Sequence, residues 1–311
     1  MPVARTFRFL AFPAALFFAA ASTGTGLEPG GLSDFSVELP QELRQIAGRG
    51  GMAPVTRALV TVAVPVDFDA AHVYPVMVIS ATADPQYHSS RRLLAAYAET
   101  AVAGGWILIA ADPAEEVSGE RDDVNLRYAL NATALAALES QWPQAGKAPL
   151  AFGGFSGGAK FSGWLAPAFA RQGRAIVGIY LAGINSDTII AATRQFGLLN
   201  DSFRRTPVFL QSGQNDQVAT PADHRRIHDE LERAGFSQVR IEYGAGSHEV
   251  DPPSLRAALD WFRTVSSSRR NLSLRQDRAA WWQKKAPQMR GFNAADPDEG
   301  PINGRPREDW N

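Results

Sequence analysis

The sequence predicts an α/β protein whose central sheet is mostly parallel and is covered by helices on both faces. Short apolar, β-branched segments alternate with longer helical segments, which is the pattern of parallel strands joined by crossover helices. Several of the short segments are apolar throughout, as expected of strands buried on both faces. Hydrophobic residues make up 45% of the 311 residues, which is enough for a sizeable core.

Local signals bound the individual elements. Ser89 and Ser90 can cap a helix that Gly104-Gly105 ends, and Thr220-Pro221 provides the cap and first turn of a later helix. The predicted strands are 59–66, 75–80, 106–110, 149–154, 175–183, 207–213 and 238–243. The predicted helices are 91–103, 122–142, 159–171, 220–234 and 253–265.

Composition divides the chain into consecutive segments. They are a signal peptide (1–21), an N-terminal approach segment (22–54), the α/β domain (55–265) and a polar C-terminal extension (266–311). The approach segment is rich in Gly, Ser and Pro, and we expect one short strand or helix in it, around Phe35 to Ile46. The extension is poor in aliphatic residues and cannot build a core of its own.

Residues 1–21 have the three-part layout of a secretory signal peptide. Arg5 and Arg8 give a positive start, residues 9–21 are apolar, and Ala19 to Ala21 fits a small-residue cleavage site. We therefore expect a periplasmic or secreted protein with no stable membrane span after cleavage. The alternative is an uncleaved N-terminal anchor, and mass spectrometry of the mature N-terminus distinguishes the two.

Charge and cysteine content exclude several kinds of site. The net charge of −1 argues against binding nucleic acid through bulk charge. The absence of cysteine excludes disulfides, thiolate chemistry and cysteine-ligated zinc. His224 and His228 have a helical spacing that suits a metal, but no acidic motif accompanies them, and we interpret them as two exposed histidines.

The segment Gly154-Phe155-Ser156-Gly157-Gly158 fits the pattern G-x-S-x-G. Its serine directly follows a predicted buried strand and directly precedes a predicted helix, which is the context of a nucleophile elbow. The glycines suit the close approach of strand and helix, and the helix N-terminus favours developing negative charge. Ser156 is therefore the candidate nucleophile.

A serine nucleophile needs a base, and the base needs a carboxylate that orients it. His248 follows the last predicted strand and is the candidate base, with His88 as the alternative. Asp216 follows the strand 207–213 and is the candidate acid, with Asp187 as the alternative. Each leading candidate stands at the carboxyl end of its own strand, where parallel sheets place their ligand sites.

Ser156 in GFSGG, Asp216 in SGQND and His248 in GAGSHEV, in this chain order, resemble the α/β-hydrolase superfamily. The resemblance covers about residues 55 to 265. Within the superfamily the chain is similar to compact single-domain esterases of the dienelactone-hydrolase and polyhydroxyalkanoate-depolymerase-like branches. Residues 184–206 leave room for a small lid or none.

Many relatives carry a His-Gly pair after the third strand, where it shapes the oxyanion loop. In this chain the loop has the sequence Ser80-Ala81-Thr82-Ala83. The oxyanion hole then takes one backbone N–H from Gly157 and a second from Ala81 or Thr82, with the Thr82 hydroxyl as an additional donor.

The residues and the resemblance together predict a serine esterase that cleaves a small-molecule or polymeric carboxylic ester through an acyl-enzyme. This chemistry requires no metal or organic cofactor. The alternatives are a peptidase, thioesterase or acyltransferase that uses the same residues, and a catalytically silent binding protein with the same fold. The sequence leaves acyl and alcohol specificity and the oligomeric state open.

Overall fold

The computed structural model describes residues 26–48, 55–117, 122–198 and 201–267. The predicted signal peptide and nearly all of the predicted C-terminal extension lie outside the described residues. The chain divides after Thr264 into a larger and a smaller unit, and only residues 265–267 of the smaller one are described.

A mostly parallel sheet of eight strands forms the centre of the described part of the larger unit. The strands are β1 (Leu32–Glu38), β2 (Arg57–Ala63), β3 (Val76–Ser80), β4 (Ile107–Pro113), β5 (Leu150–Phe155), β6 (Ile176–Ala182), β7 (Val208–Gly213) and β8 (Val239–Gly244). Their order across the sheet is β1-β2-β4-β3-β5-β6-β7-β8. Strand β2 is antiparallel to both of its neighbours, and all other pairs are parallel.

Helices cover both faces of the sheet, as the sequence predicts. They are α1 (Gln41–Ala47), α2 (Ser90–Ala103), α3 (Val124–Gln141), α4 (Gly157–Arg171), α5 (Ile189–Gln195), α6 (Asp201–Arg204), α7 (Pro221–Arg233) and α8 (252–267). On one face α2 and α8 bury residues such as Tyr97 and Phe262. On the other face a larger core joins α1, α3, α4, α5 and α7 to the sheet.

The predicted helix starts at Ser89 and Thr220 are confirmed by side-chain bonds. The Ser89 hydroxyl accepts a hydrogen bond from the N–H of Arg92 at 3.2 Å. Thr220 and Asp223 form a reciprocal capping box at the start of α7. Such caps satisfy backbone donors that the first helical turn leaves without a partner, so short sequence patterns suffice to locate them.

Strand β1 and helix α1 lie in the stretch assigned from sequence to the approach segment. Strand β1 pairs with β2 from Leu32 opposite Ala63 to Glu38 opposite Arg57. It is one of the two edge strands of the sheet, and its burial alternates only in part, so its periodicity in the sequence is weak. The sheet therefore begins at Leu32, which corrects the predicted domain start at residue 55.

The connection between β6 and β7 carries the short helices α5 and α6. Ile189 and Ala192 of α5 are fully buried in the core, so this helix packs as part of the domain and does not form a separate lid. The expectation of a small lid or none is confirmed. Within the described residues, none of the helices combines the length and apolar character needed to cross a membrane.

Candidate active site

Ser156 occupies the turn between β5 and α4, as the sequence predicts. Its backbone has φ 55° and ψ −120°, and it is the only described non-glycine residue with a positive φ. Its N–H donates to the carbonyl oxygen of Ala182 on β6 at 2.8 Å. A conformation of this kind costs about 1–3 kcal/mol and persists only where the surrounding structure holds it.

The glycines around Ser156 allow β3 to approach the turn. A Cβ on Gly158 would lie 1.9 Å from the carbonyl oxygen of Ser80, and a Cβ on Gly154 would lie 2.4 Å from the same oxygen. No side chain fits at either position, because the contact is with backbone. This approach brings the loop after β3 alongside the first turn of α4.

His248 and Asp216 form a largely buried pair. The imidazole Nδ1 lies 2.8 Å from Asp216 Oδ2, and the two side chains are 22% and 1% exposed. The other carboxylate oxygen of Asp216 accepts hydrogen bonds from the N–H groups of Val218 and Ala219, both at 2.8 Å.

These contacts determine the charge of Asp216 and the tautomer of His248. Burial acts to raise the pKa of Asp216, but hydrogen bonds from Ala219, His248 and Val218 outweigh it and hold this pKa below its ordinary value. An ionised carboxylate only accepts hydrogen bonds, so Nδ1 of His248 carries a hydrogen. The other ring nitrogen, Nε2, is then available as a base.

Ser156 and His248 border the same residues. The ring of Phe155 packs on the imidazole, with the two ring centroids 4.6 Å apart. Gly183 directly follows Ala182, whose carbonyl oxygen accepts the N–H of Ser156. A Cβ on Gly183 would lie 3.0 Å from Cε1 of His248. Among the described residues no hydrogen bond joins the Ser156 hydroxyl to His248. Such bonds often tighten only in the substrate complex.

The alternative base and the alternative acid have other partners. Nδ1 of the exposed His88 donates to the carbonyl oxygen of Pro85 at 2.6 Å. The carboxylate of Asp187 accepts the N–H groups of Ile189 and Ile190 at the start of α5, both at 3.0 Å. Within the described residues neither side chain joins a histidine–carboxylate pair, so the geometry favours the leading candidates.

The two N–H groups considered in the loop after β3 differ in availability. The N–H of the buried Ala81 donates to Ser90 Oγ at 3.2 Å, which corrects its assignment as an oxyanion donor. Thr82 stands opposite Gly157, because a Cβ on Gly157 would lie 2.4 Å from Thr82 Oγ1 and 3.2 Å from Thr82 Cα. Gly157 and Thr82 therefore remain as the candidate donors.

His224 is fully buried, which corrects its interpretation as exposed. Its Nδ1 donates to the carbonyl oxygen of Thr220 at 3.0 Å, and its Nε2 accepts the N–H of Ile184 at 3.3 Å. Burial lowers the pKa of His224. The side chain thereby links α7 to the loop after β6. Gly183, the residue before Ile184 in this loop, lies close to His248.

We expect His224→Gln to make stability less sensitive to mild acid. The pKa of His224 lies below its ordinary value of 6.5 in the folded state, so the unfolded state binds more protons below that pH. The free energy of unfolding should therefore fall as the pH drops below about 6.5. Urea unfolding between about pH 7.5 and 5 measures this. The variant should lose part of the pH dependence, and a pH dependence equal to that of the wild type would contradict the assignment.

His228, Asp229 and Glu232 on α7 bring potential ligand atoms within 4.8 Å of one another. Nδ1 of His228 lies 3.2 Å from the Asp229 carboxylate, and its Nε2 lies 3.7 Å from that of Glu232. The two carboxylates are exposed, and the three side chains are near neighbours on one helix surface, so we assign no metal site here.

A cavity of about 830 Å³ opens beside β1, β2 and the loop after β3. Phe35, Leu59, Pro85, His88 and Asp112 are among its lining residues. Its described lining includes none of the three candidate catalytic residues.

Neither a protein-family model nor a curated protein matches this chain. Among solved structures, a serine hydrolase without a lid from Xanthomonas campestris aligns with a TM-score of 0.51 and 15% identity, over 76% of this chain and 96% of its own. A cold-adapted esterase from an Arctic intertidal metagenomic library aligns with a TM-score of 0.49 and 14% identity, over 78% and 97%. Acyl-protein thioesterase 2 of Zea mays aligns with a TM-score of 0.43 and 18% identity, over 66% and 98%.

The likeness to the Xanthomonas campestris protein concerns the fold. It agrees with the mostly parallel sheet and the helices on both of its faces. The chain therefore has the α/β-hydrolase fold.

Proposed function

We propose that this protein is a serine hydrolase that cleaves carboxylic esters. Ser156 is the nucleophile, His248 is the base, and the Asp216 carboxylate orients the base. The observation that carries the proposal is the 2.8 Å contact between His248 Nδ1 and Asp216 Oδ2, beside a serine held at φ 55°. The Xanthomonas campestris protein of similar fold is itself a serine hydrolase, which agrees with this proposal.

Acylation begins when the Ser156 hydroxyl oxygen attacks the ester carbonyl carbon. His248 Nε2 takes the hydroxyl proton, and the ionised Asp216 stabilises the resulting imidazolium through Nδ1. The carbonyl oxygen becomes an oxyanion that the N–H groups of Gly157 and Thr82 can bind. Collapse of this intermediate breaks the bond to the alcohol, which leaves with the proton from His248.

Deacylation repeats the same steps with water. His248 takes a proton from a water molecule whose oxygen attacks the acyl-enzyme carbonyl. The second tetrahedral intermediate collapses to the carboxylic acid, and the proton on His248 returns to the Ser156 oxygen. No step in this scheme calls for a metal or an organic cofactor.

Location in the periplasm or outside the cell is part of the proposal. It rests on residues 1–21 alone, whose arginines, apolar run and alanine-rich end match a cleavable signal peptide.

Covalent labelling by a fluorophosphonate probe tests the proposed nucleophile. The probe forms a bond from its phosphorus to an activated serine oxygen and releases fluoride. We expect mass spectrometry to find the label on Ser156, and we expect His248→Ala to abolish labelling because the serine is then no longer activated.

A hydrolysis panel run beside the labelling identifies the bond that is cleaved. Carboxylic esters of different chain length, a thioester and a peptide amide serve as substrates, and we expect the esters to be hydrolysed fastest. Absence of label on the folded protein would contradict the proposal and favour a catalytically silent binding protein.

A further inference from the structure

We propose that Ser90, held in place by Arg127, is a positioning residue for the oxyanion hole, and that the second oxyanion donor is the N–H of Thr82. The inference deepens the proposed hydrolase function and rests on it. Neither Ser90 nor Arg127 stands in a sequence pattern that points to catalysis.

Ser90 determines which N–H of the loop after β3 remains available. Its side chain is fully buried, and its Oγ accepts the N–H of Ala81 at 3.2 Å. Ala81 itself is only 3% exposed, so its N–H is committed inside the protein. This bond holds the Ser80–Ala81 peptide and so restrains the backbone that leads into Thr82, whose N–H is the next one along the chain.

Thr82 is the loop residue that faces the first donor. Its side chain and Cα crowd the Cα of Gly157, whose N–H is the other candidate donor. The Thr82 hydroxyl accepts a hydrogen bond from the N–H of Asp84 at 3.3 Å, which restrains the loop on the C-terminal side of Thr82. Thr82 therefore lies beside Gly157, where an oxyanion bound by the Gly157 N–H would form.

Arg127 is the second hydrogen-bond partner of the Ser90 hydroxyl oxygen. Its guanidinium is 1% exposed, and its Nη1 donates to Ser90 Oγ at 2.8 Å. Its Nη2 donates to the carbonyl oxygen of His88 at 3.2 Å, so one side chain contacts both the loop after β3 and the first residue of α2. The planar guanidinium presents these donors in a fixed geometry that a lysine could not reproduce.

Two carboxylates balance the buried charge of Arg127. The Asp122 carboxylate accepts hydrogen bonds from Nε of the guanidinium, at 2.6 Å, and from its Nη2. Asp112 lies 3.4 Å from Nη1 and also accepts the N–H of Ser90 at 2.8 Å. A buried cation with this many partners is rigidly placed, because the loss of any one partner leaves a buried polar group unsatisfied.

Ser90→Ala tests the inference, and Ser89→Ala is its matched control. Ser90→Ala removes the acceptor for Ala81 and Arg127 but leaves Arg127 its contacts with Asp122. Ser89→Ala removes a hydroxyl from the adjacent residue and the cap of α2, but no bond to the loop.

We expect Ser90→Ala to lower kcat for ester hydrolysis by about 10- to 100-fold, with KM within about threefold, because a misplaced donor weakens transition-state binding. Affinity for a boronic acid, whose tetrahedral adduct mimics the oxyanion, should fall by a similar factor. Ser89→Ala should lower the melting temperature and leave kcat within about twofold. Arg127→Lys, which keeps the charge but loses the planar donors, should reproduce the effect of Ser90→Ala.

The outcomes separate this inference from the proposed function. Folding is checked first by circular dichroism, and Ser90→Cys replaces Ser90→Ala if the latter does not fold. Unchanged kcat and boronic acid affinity in the folded Ser90 and Arg127 variants would overturn the positioning role while Ser156 is still labelled in the wild type. A wild type that neither hydrolyses esters nor takes the fluorophosphonate label would overturn both proposals together.

Discussion

Ser156→Ala is expected to lower kcat for ester hydrolysis by about 10⁴-fold or more, because no other group can form the acyl-enzyme. Alanine keeps a Cβ at φ 55°, so the variant retains the strained turn and removes only the hydroxyl. The melting temperature should therefore change little. Steady-state hydrolysis of the best ester in the panel, with circular dichroism of both proteins, measures the effect.

Ser162→Ala is the matched control for this variant. Ser162 lies on α4, and its buried hydroxyl donates to the carbonyl oxygen of Gly158 at 2.9 Å. Its removal takes away a hydroxyl near the candidate site without touching the proposed chemistry, so kcat should stay within a few-fold of wild type. If Ser156→Ala hydrolysed esters as fast as Ser162→Ala, the assignment of the nucleophile would be wrong.

Asp216→Asn is expected to lower kcat by about 10³- to 10⁴-fold. The carboxylate accepts bonds from Val218, Ala219 and His248, and an amide has only one oxygen with which to accept them. If the oxygen stays with the two backbone N–H groups, the amide NH₂ faces His248 and Nδ1 must become the acceptor. The hydrogen then moves to Nε2, which can no longer take a proton from Ser156.

The pH dependence of this variant follows from the lowered pKa of Asp216. Because hydrogen bonds hold that pKa below its ordinary value, the wild-type carboxylate stays ionised through neutral and mildly acidic pH. The difference in kcat between wild type and variant should therefore persist across this range. A difference that vanished in mildly acidic buffer would contradict the ionised state assigned to Asp216.

Asp187→Asn serves as the control for Asp216→Asn. Asp187 caps α5 through the N–H groups of Ile189 and Ile190, and its loss should reduce stability by about 0.5–2 kcal/mol with kcat within a few-fold. A larger loss of kcat in Asp187→Asn than in Asp216→Asn would exchange the roles of the two carboxylates.

Much of the fold could be predicted from the sequence because the signals are local. The strands β3, β4 and β5 are short apolar runs, and burial on both faces demands such runs whatever packs against them. Helices α2 and α7 begin at residues whose side chains bond to backbone only three residues away. The order of Ser156, Asp216 and His248 at the ends of separate strands followed from the same element boundaries.

Only the tertiary structure decided the features that depend on residues far apart in the chain. Strand β1 is defined by its pairing with β2, because an edge strand is half exposed and its own sequence carries little periodicity. His224 is buried on the same face of α7 as Ile227 and Leu231, and this helical spacing is a signal of its burial. Its hydrogen bond with the N–H of Ile184 joins residues 40 positions apart, and no local pattern reveals it.

The oxyanion loop shows the same limit of local signals. Ala81 and Thr82 are equivalent in sequence, since each has one backbone N–H and neither is proline. Their difference arises because Ser90 reaches back to Ala81, while Arg127, from a different helix, holds Ser90. The sequence by itself therefore determined the elements and the candidate catalytic residues. The packing of distant segments decided which neighbouring groups hold those residues, because buried polar groups find their partners only in the folded chain.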